Sequence, residues 1–126
     1  MKMARLQSID EVPLSSIQPG EDFLCQESVE YFLKNPNILS LEIPSILIFS
    51  CSDQPFQYYA IDGNSRLFVC YRLGILKIKT ALMVPAFEYL YLPVAPEVYS
   101  QGIRSWRDLE RRILPIAERD HIRNAV

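Results

Sequence analysis

Apolar and polar positions alternate along this chain in short runs whose period changes several times. Glu11 to Leu14 reads as a short strand, and the turn at Ser15-Ser16 after it is closed by Pro19-Gly20. From Gln26 to Asn35, Val29, Phe32 and Leu33 recur at helical spacing while Glu27, Glu30 and Lys34 face out, and Pro36 ends the run. This predicts a short amphipathic helix. The chain crosses over from Ile38 to Pro44, and the unbroken apolar run Ser45 to Ser50 then has the length of a buried central strand. Gln57 to Ile61 predicts a returning strand. A helix apolar nearly all round follows, opening at Asn64 or Ser65 and closing at Gly74, and such a helix is buried. Lys77 to Val84 alternates and then turns wholly apolar, as a strand with an exposed start does.

Beyond Pro85 the pattern weakens. Phe87, Tyr89 and Tyr91 alternate with Glu88, Leu90 and Leu92, which suits a strand whose aromatic face packs or stacks a base. Ser105-Trp106-Arg107-Asp108 resembles a capping box, and it opens a helix with Trp106, Leu109 and Ile113 in one stripe until Pro115 breaks it or starts another. The expected architecture is α/β (α+β), a small mixed sheet with packed helices over residues 1–95, with a C-terminal helical extension over 96–126 docked on the same domain.

Composition narrows the function classes. A chain of 126 residues with 49% hydrophobic positions is one domain with a single core. Its net charge of −2 gives no general attraction to nucleic acid. From Gln101 onward six arginines face four acids, an arginine-rich face suited to an acidic partner or nucleic acid but diluted by Asp108, Glu110, Glu118 and Asp120. Cys25, Cys51 and Cys70 are too far apart for a metal knuckle or a Cys-x-x-Cys pair and read as reduced thiols of a cytoplasmic protein. No apolar run is long enough to span a bilayer. His121 is the only histidine, so a histidine-based triad or metal site has no second partner, and neither phosphate-loop nor dinucleotide fingerprints occur.

The chemistry concentrates at Asp62-Gly63-Asn64-Ser65-Arg66. A strand, tight turn and helix in that order aim the free N–H groups of the first helical turn, and the positive end of the helix dipole, at one point where an anion can sit. Arg66 shares a helix face with Val69, Cys70 and Leu73, whereas Arg72 falls elsewhere and reaches solvent. A guanidinium among apolar neighbours needs an anionic partner. That partner is either a protein carboxylate, from Asp62, Glu21 or Glu27, or a ligand phosphate, which matches the planar fork of arginine. Lys77 and Lys79 share one face of their strand, either at the rim of a phosphate pocket or simply in solvent.

These residues resemble the ParB/sulfiredoxin-like superfamily. Asp62 to Arg66, the apolar helix, Leu73-Gly74 and the strand Ile78 to Val84 look like its Asp-Gly-x-x-Arg or Gly-x-x-Arg core. Val12-Pro13-Leu14-Ser15-Ser16-Ile17-Gln18-Pro19 is similar to the x-Pro-Leu-x-x-Ile-x-Pro segment that opens ParB N-terminal domains. The resemblance implies phosphate held by the turn backbone of Gly63, Asn64 and Ser65, with Arg66 as the clamp. It implies a nucleoside di- or triphosphate with magnesium as ligand, and phosphoryl transfer or hydrolysis as the reaction class. The base or metal ligand would be Asp62 or one of Glu21, Asp22 and Glu27, since kinase members place an acid of that region near the phosphates. Three departures count against particular activities. ParB carries Gly-Glu-Arg-Arg, free serine kinases Asp-Gly-His-His-Arg and sulfiredoxins Gly-Cys-His-Arg, where this chain has Gly63-Asn64-Ser65-Arg66. Asn64 excludes sulfiredoxin thiol chemistry and, with Ser65, argues against CTP hydrolysis. The alternative is a regulatory or protein-interaction module, DNA-associated or not, that keeps the fold without the reaction and works through its C-terminal helices. Chromosome partitioning by this chain alone is not expected, because it lacks the helix-turn-helix and dimerisation segments of full ParB proteins.

Overall fold

Leu67, Phe68, Val69 and Cys70, four consecutive side chains of one helix, are each no more than 1% exposed, and the fold is built around them. The computed structural model describes residues 4–41, 47–50, 55–85 and 94–124. In it this helix, α3 (Asn64–Arg72), packs against helix α1 (Gln26–Lys34) and against a 3₁₀ turn at Trp106–Leu109. Val29, Leu24, Val98, Ile103, Trp106 and Leu109 complete the same core. Burying a large apolar side chain contributes ~1.5–3 kcal/mol, so an all-round apolar helix is stable only when covered on every side. Arg72 lies on the exposed side, over the Phe68 ring at 5.3 Å.

The strands are β1 (Ala4–Pro13), β2 (Ile17–Gln18), β3 (Leu24–Cys25), β4 (Leu47–Ser50), β5 (Tyr58–Ala60), β6 (Lys77–Pro85) and β7 (Ile113–Leu114). Five form a mixed sheet in the order β1-β6-β4-β5-β2. The β1/β6 and β4/β5 pairs are antiparallel, whereas β4/β6 and β2/β5 are parallel. β4 is the central strand, as its apolar run predicts. A helix α2 (Ile38–Leu41) lies in the crossover segment. β1 is longer than the expected Glu11 to Leu14 because it pairs with all of β6. Its outer residues carry no period because the pairing is through backbone, and Leu6 and Ile9 stay exposed.

The C-terminal segment departs from the expected helical pair. The Ser105/Asp108 capping box is present, but it opens only the 3₁₀ turn, and Ile113 belongs to β7. The chain leaves helical geometry there because β3 needs a partner: the Leu24 N–H donates to the Arg112 carbonyl at 2.8 Å, and Leu24 and Cys25 pair with Ile113 and Leu114. Pro115 then leads into α5 (Ile116–Asn124). Ahead of it, α4 (Val94–Ser100) is a helix with Pro96 in its first turn, where proline forfeits no hydrogen bond. Phe87, Tyr89, Tyr91 and Cys51 lie outside the described residues. The extension is stitched into the core rather than laid on it, for Gln18 is buried and its Nε2 donates to the Ile103 carbonyl at 2.6 Å. Among the described residues, no helix is long and apolar enough to cross a membrane.

Candidate functional site

The turn that opens α3 needs a glycine. Gly63 sits at φ 76°, the left-handed region, and its carbonyl accepts the Leu67 N–H at 2.9 Å to start the helix. Its own N–H donates to Asp62 Oδ1 at 2.8 Å. Among the described residues no side chain caps α3, which leaves the first-turn N–H groups of this nine-residue helix pointing out of its end. Asn64 is buried at this turn, and its Oδ1 accepts the Gly20 N–H at 2.9 Å, pinning the loop after β2 to the start of α3. That tie demands glycine at position 20, where a Cβ would stand 1.9 Å from the Ala60 carbonyl oxygen.

In front of the helix end lies a cavity of about 310 Å³ lined by Glu21, Ser28, Phe32, Asp62, Gly63, Asn64, Ser65, Arg66 and Arg119. Arg66 forms its inner wall and is only 6% exposed. Its guanidinium lies over the Phe32 ring, 5.3 Å from the centroid, and one terminal nitrogen donates to the Ile38 carbonyl at 2.6 Å. Its Nε is buried and has no hydrogen-bond partner among the described residues. Among the described residues no carboxylate pairs with Arg66: the ion pairs are Arg119–Asp120 and Arg123–Asp22. A buried guanidinium held by one carbonyl and one ring face keeps both charge and donors for something else.

The four carboxylates singled out in the sequence separate. Glu21 and Asp62 line the cavity. Glu27 does not. Its carboxylate accepts the Ile116 N–H at 3.1 and 3.3 Å and so holds the first turn of α5. Burial pushes the Glu21 carboxyl above its ordinary value, with Arg123 and Arg119 opposing the rise and Asp22 and Asp62 adding to it. Glu21 also borders a second cavity of about 320 Å³, shared with Asp22, Glu97, Gln101 and Arg123. Lys77 and Lys79 are exposed on β6 and neither lines this cavity. Lys77 instead borders an apolar groove of about 580 Å³ beside Tyr71, Leu76 and Trp106. That groove lies at the opposite end of α3, where the dipole is negative and an anion is disfavoured. Cys25 and Cys70 are free and buried, and burial lifts the Cys70 thiol to about 11 in spite of the nearby Arg66. It is not a nucleophile at neutral pH.

Arg119 and Ser28 line the cavity and Gly20 holds its Asn64, without any of the three having been legible as candidate site residues. Arg119 reaches it from α5, which is drawn back by Glu27 and by Arg123, whose guanidinium donates to Asp22 Oδ1 at 3.2 Å and to the Phe23 carbonyl at 3.1 Å. Nothing in the spacing of the six late arginines separates Arg119 from the rest. Among the described residues no group of three or more His, Cys, Asp or Glu side chains is placed to hold a metal ion.

No family model matches the chain, and no curated protein matches it. Solved structures do. A conserved hypothetical protein from Pyrococcus furiosus aligns at a TM-score of 0.54 and 18% identity, over 68% of this chain and 35% of its own. A free serine kinase in complex with AMP aligns at 0.52 and 18% identity, over 62% of this chain and 32% of the kinase. The E-to-A variant of a free serine kinase with ADP gives 0.51 and 17% identity over the same shares. The fold is ParB/sulfiredoxin-like. At this identity the likeness speaks to the ParB/sulfiredoxin-like fold and to nothing finer, and the chain spans about a third of the length of these proteins. The fold expected from the Asp62 to Arg66 box and the Val12 to Pro19 segment is thereby borne out.

Proposed function

We propose that this domain binds the phosphates of a nucleoside di- or triphosphate in the cavity before α3, with the first-turn N–H groups of Asn64, Ser65 and Arg66 as the cradle and the Arg66 guanidinium as the clamp. The observation that carries this reading is the state of Arg66. It is buried, its Nε lacks a partner and no carboxylate neutralises it among the described residues, and it lines a cavity at the positive end of a helix. Phosphate supplies the charge and acceptors that such a group requires. That solved proteins of this fold carry AMP and ADP supports a nucleotide over a bare phosphate.

Magnesium bound with a nucleotide takes one or two carboxylates and otherwise phosphate and water oxygens. Glu21 and Asp62 meet that requirement where a dedicated protein cage is absent among the described residues. For phosphoryl transfer or hydrolysis the base would be Glu21, whose carboxyl burial raises above its ordinary value, ahead of Asp62, which already accepts the Gly63 N–H. A second reading, a binding module without turnover, is favoured by Asn64. At the position where the resembled sequences carry Glu, His or Cys, its side chain is committed to Gly20. In that reading a protein partner meets α5, whose Ile116 and Ile122 are exposed.

A thermal-shift screen against CTP, ATP, ADP, GTP and inorganic phosphate, each with and without magnesium, tests the proposal. A ligand at a hundredfold excess over its dissociation constant adds ~2.7 kcal/mol of stability. A shift with a nucleotide that Arg66→Ala abolishes is the expected result, and no shift with any of them overturns it. Phosphate release measured on the same samples separates the catalytic reading from the binding module.

A further inference from the structure

Helix α5 sits at the phosphate cavity in an unusual way. None of its residues is buried and Ile116 and Ile122 are exposed, so apolar packing contributes little to holding it. Polar ties hold it instead: the Glu27 carboxylate at the Ile116 N–H, and Arg123 on Asp22 and on the Phe23 carbonyl. Each tie anchors the helix to the loop and helix start that flank the cavity. Their combined effect is to bring Arg119 into the cavity wall, where its side chain is 17% exposed.

The cavity is also larger than one phosphate needs. At ~30 Å³ per water, its volume of about 310 Å³ corresponds to roughly ten waters, against the five heavy atoms of a phosphate. One phosphate at the end of α3 uses the first-turn N–H groups and Arg66, leaving Arg119 and the remaining space. Charge points the same way. Among the lining residues the cations are Arg66 and Arg119, against the carboxylates Glu21 and Asp62, so with Arg66 engaged by the first phosphate Arg119, which lies 3.6 Å from Asp120, is the cation left for a second.

We propose that Arg119 is the specificity residue for a second phosphate, and that α5 is the strap that presents it, so that the site prefers diphosphates over monophosphates. This rests on the phosphate reading of the cavity given above. Arg66 and the α3 turn then hold one phosphate whatever follows it, and Arg119 distinguishes the chain length. Glu27 and Arg123 act on the ligand only through the placement of α5.

Calorimetric titration of the full chain with inorganic phosphate and pyrophosphate, and with AMP and ADP, tests this directly. The wild-type chain is expected to bind pyrophosphate at least tenfold more tightly than phosphate. Arg119→Ala should remove about tenfold of that preference, the size of one charge-assisted hydrogen bond, while phosphate affinity stays within twofold. Arg119→Lys should restore part of it. Glu27→Ala, which unlatches α5, should lower pyrophosphate affinity selectively and in the same direction, a pattern that general loss of stability would not produce. Equal weakening of phosphate and pyrophosphate in Arg119→Ala, or no change in either, overturns the role of Arg119 while leaving Arg66 untouched. Survival of phosphate binding in Arg66→Ala overturns the phosphate reading itself, and absence of binding by the wild-type chain to every probe overturns both.

Discussion

Replacing Arg66 by methionine separates a guanidinium that serves the fold from one that serves a ligand. Methionine keeps an unbranched stem in the apolar wall and deletes the charge. On the cost side, the bond to the Ile38 carbonyl at 2.6 Å is lost, ~1.5–3 kcal/mol for a charged donor, together with ~0.5–1 kcal/mol for the guanidinium over the Phe32 ring. On the other side, a buried Nε without a partner stops costing ~1–3 kcal/mol, and an unpaired buried charge is removed with it. The two sides nearly cancel. Stability should therefore move by no more than ~1 kcal/mol in either direction, a change of about 4 °C in Tm for a domain of this size. Phosphate affinity should fall roughly a hundredfold or more, because two charge-assisted bonds go together. Urea unfolding and calorimetric titration of the same preparation read both quantities. A loss of ~3 kcal/mol or more with ligand binding unchanged would refute the reasoning, since that is the signature of breaking a buried ion pair.

Other perturbations follow from the same geometry. Gly20→Ala forces a Cβ against the Ala60 carbonyl and strains the Gly20–Asn64 tie, so it should cost about 3 kcal/mol in urea unfolding and weaken anion binding. Glu21 gives a pH dependence whose sign is opposite to that of a paired carboxylate. Burial raises its folded value above the ordinary 4.5, the folded chain then holds more protons than the unfolded one, and stability falls as pH climbs from 4.5 through the raised value. Glu21→Gln should remove that fall. Sulfate, whose charge is constant where that of phosphate titrates, should bind more tightly as pH drops through the same window, and Glu21→Gln should flatten the profile. The groups around this carboxyl are Asp22, Asp62, Arg119 and Arg123, and a slope that persists in Glu21→Gln would refute its assignment to Glu21.

The sequence by itself determined the hub of this protein. An all-round apolar helix bounded by glycines has no stable alternative to burial, so α3, its Gly63 start and its Gly74 end were legible, and with them the direction of its dipole and the presence of Arg66 on the buried face. The amphipathic period of α1 was legible for the same reason, because burial leaves a mark at each residue, and the apolar run of β4 matches its place in the middle of the sheet. Only the tertiary structure decided what surrounds Arg66. Whether a guanidinium meets a carboxylate depends on which distant segments fold next to it, and here Glu27 turned to α5 while a main-chain carbonyl from Ile38 came instead. The same holds for Arg119 and for β7. Their positions are set by backbone pairing of β3 with β7 and by ties between residues 89 to 101 places apart in the chain, and such contacts leave no local period to read.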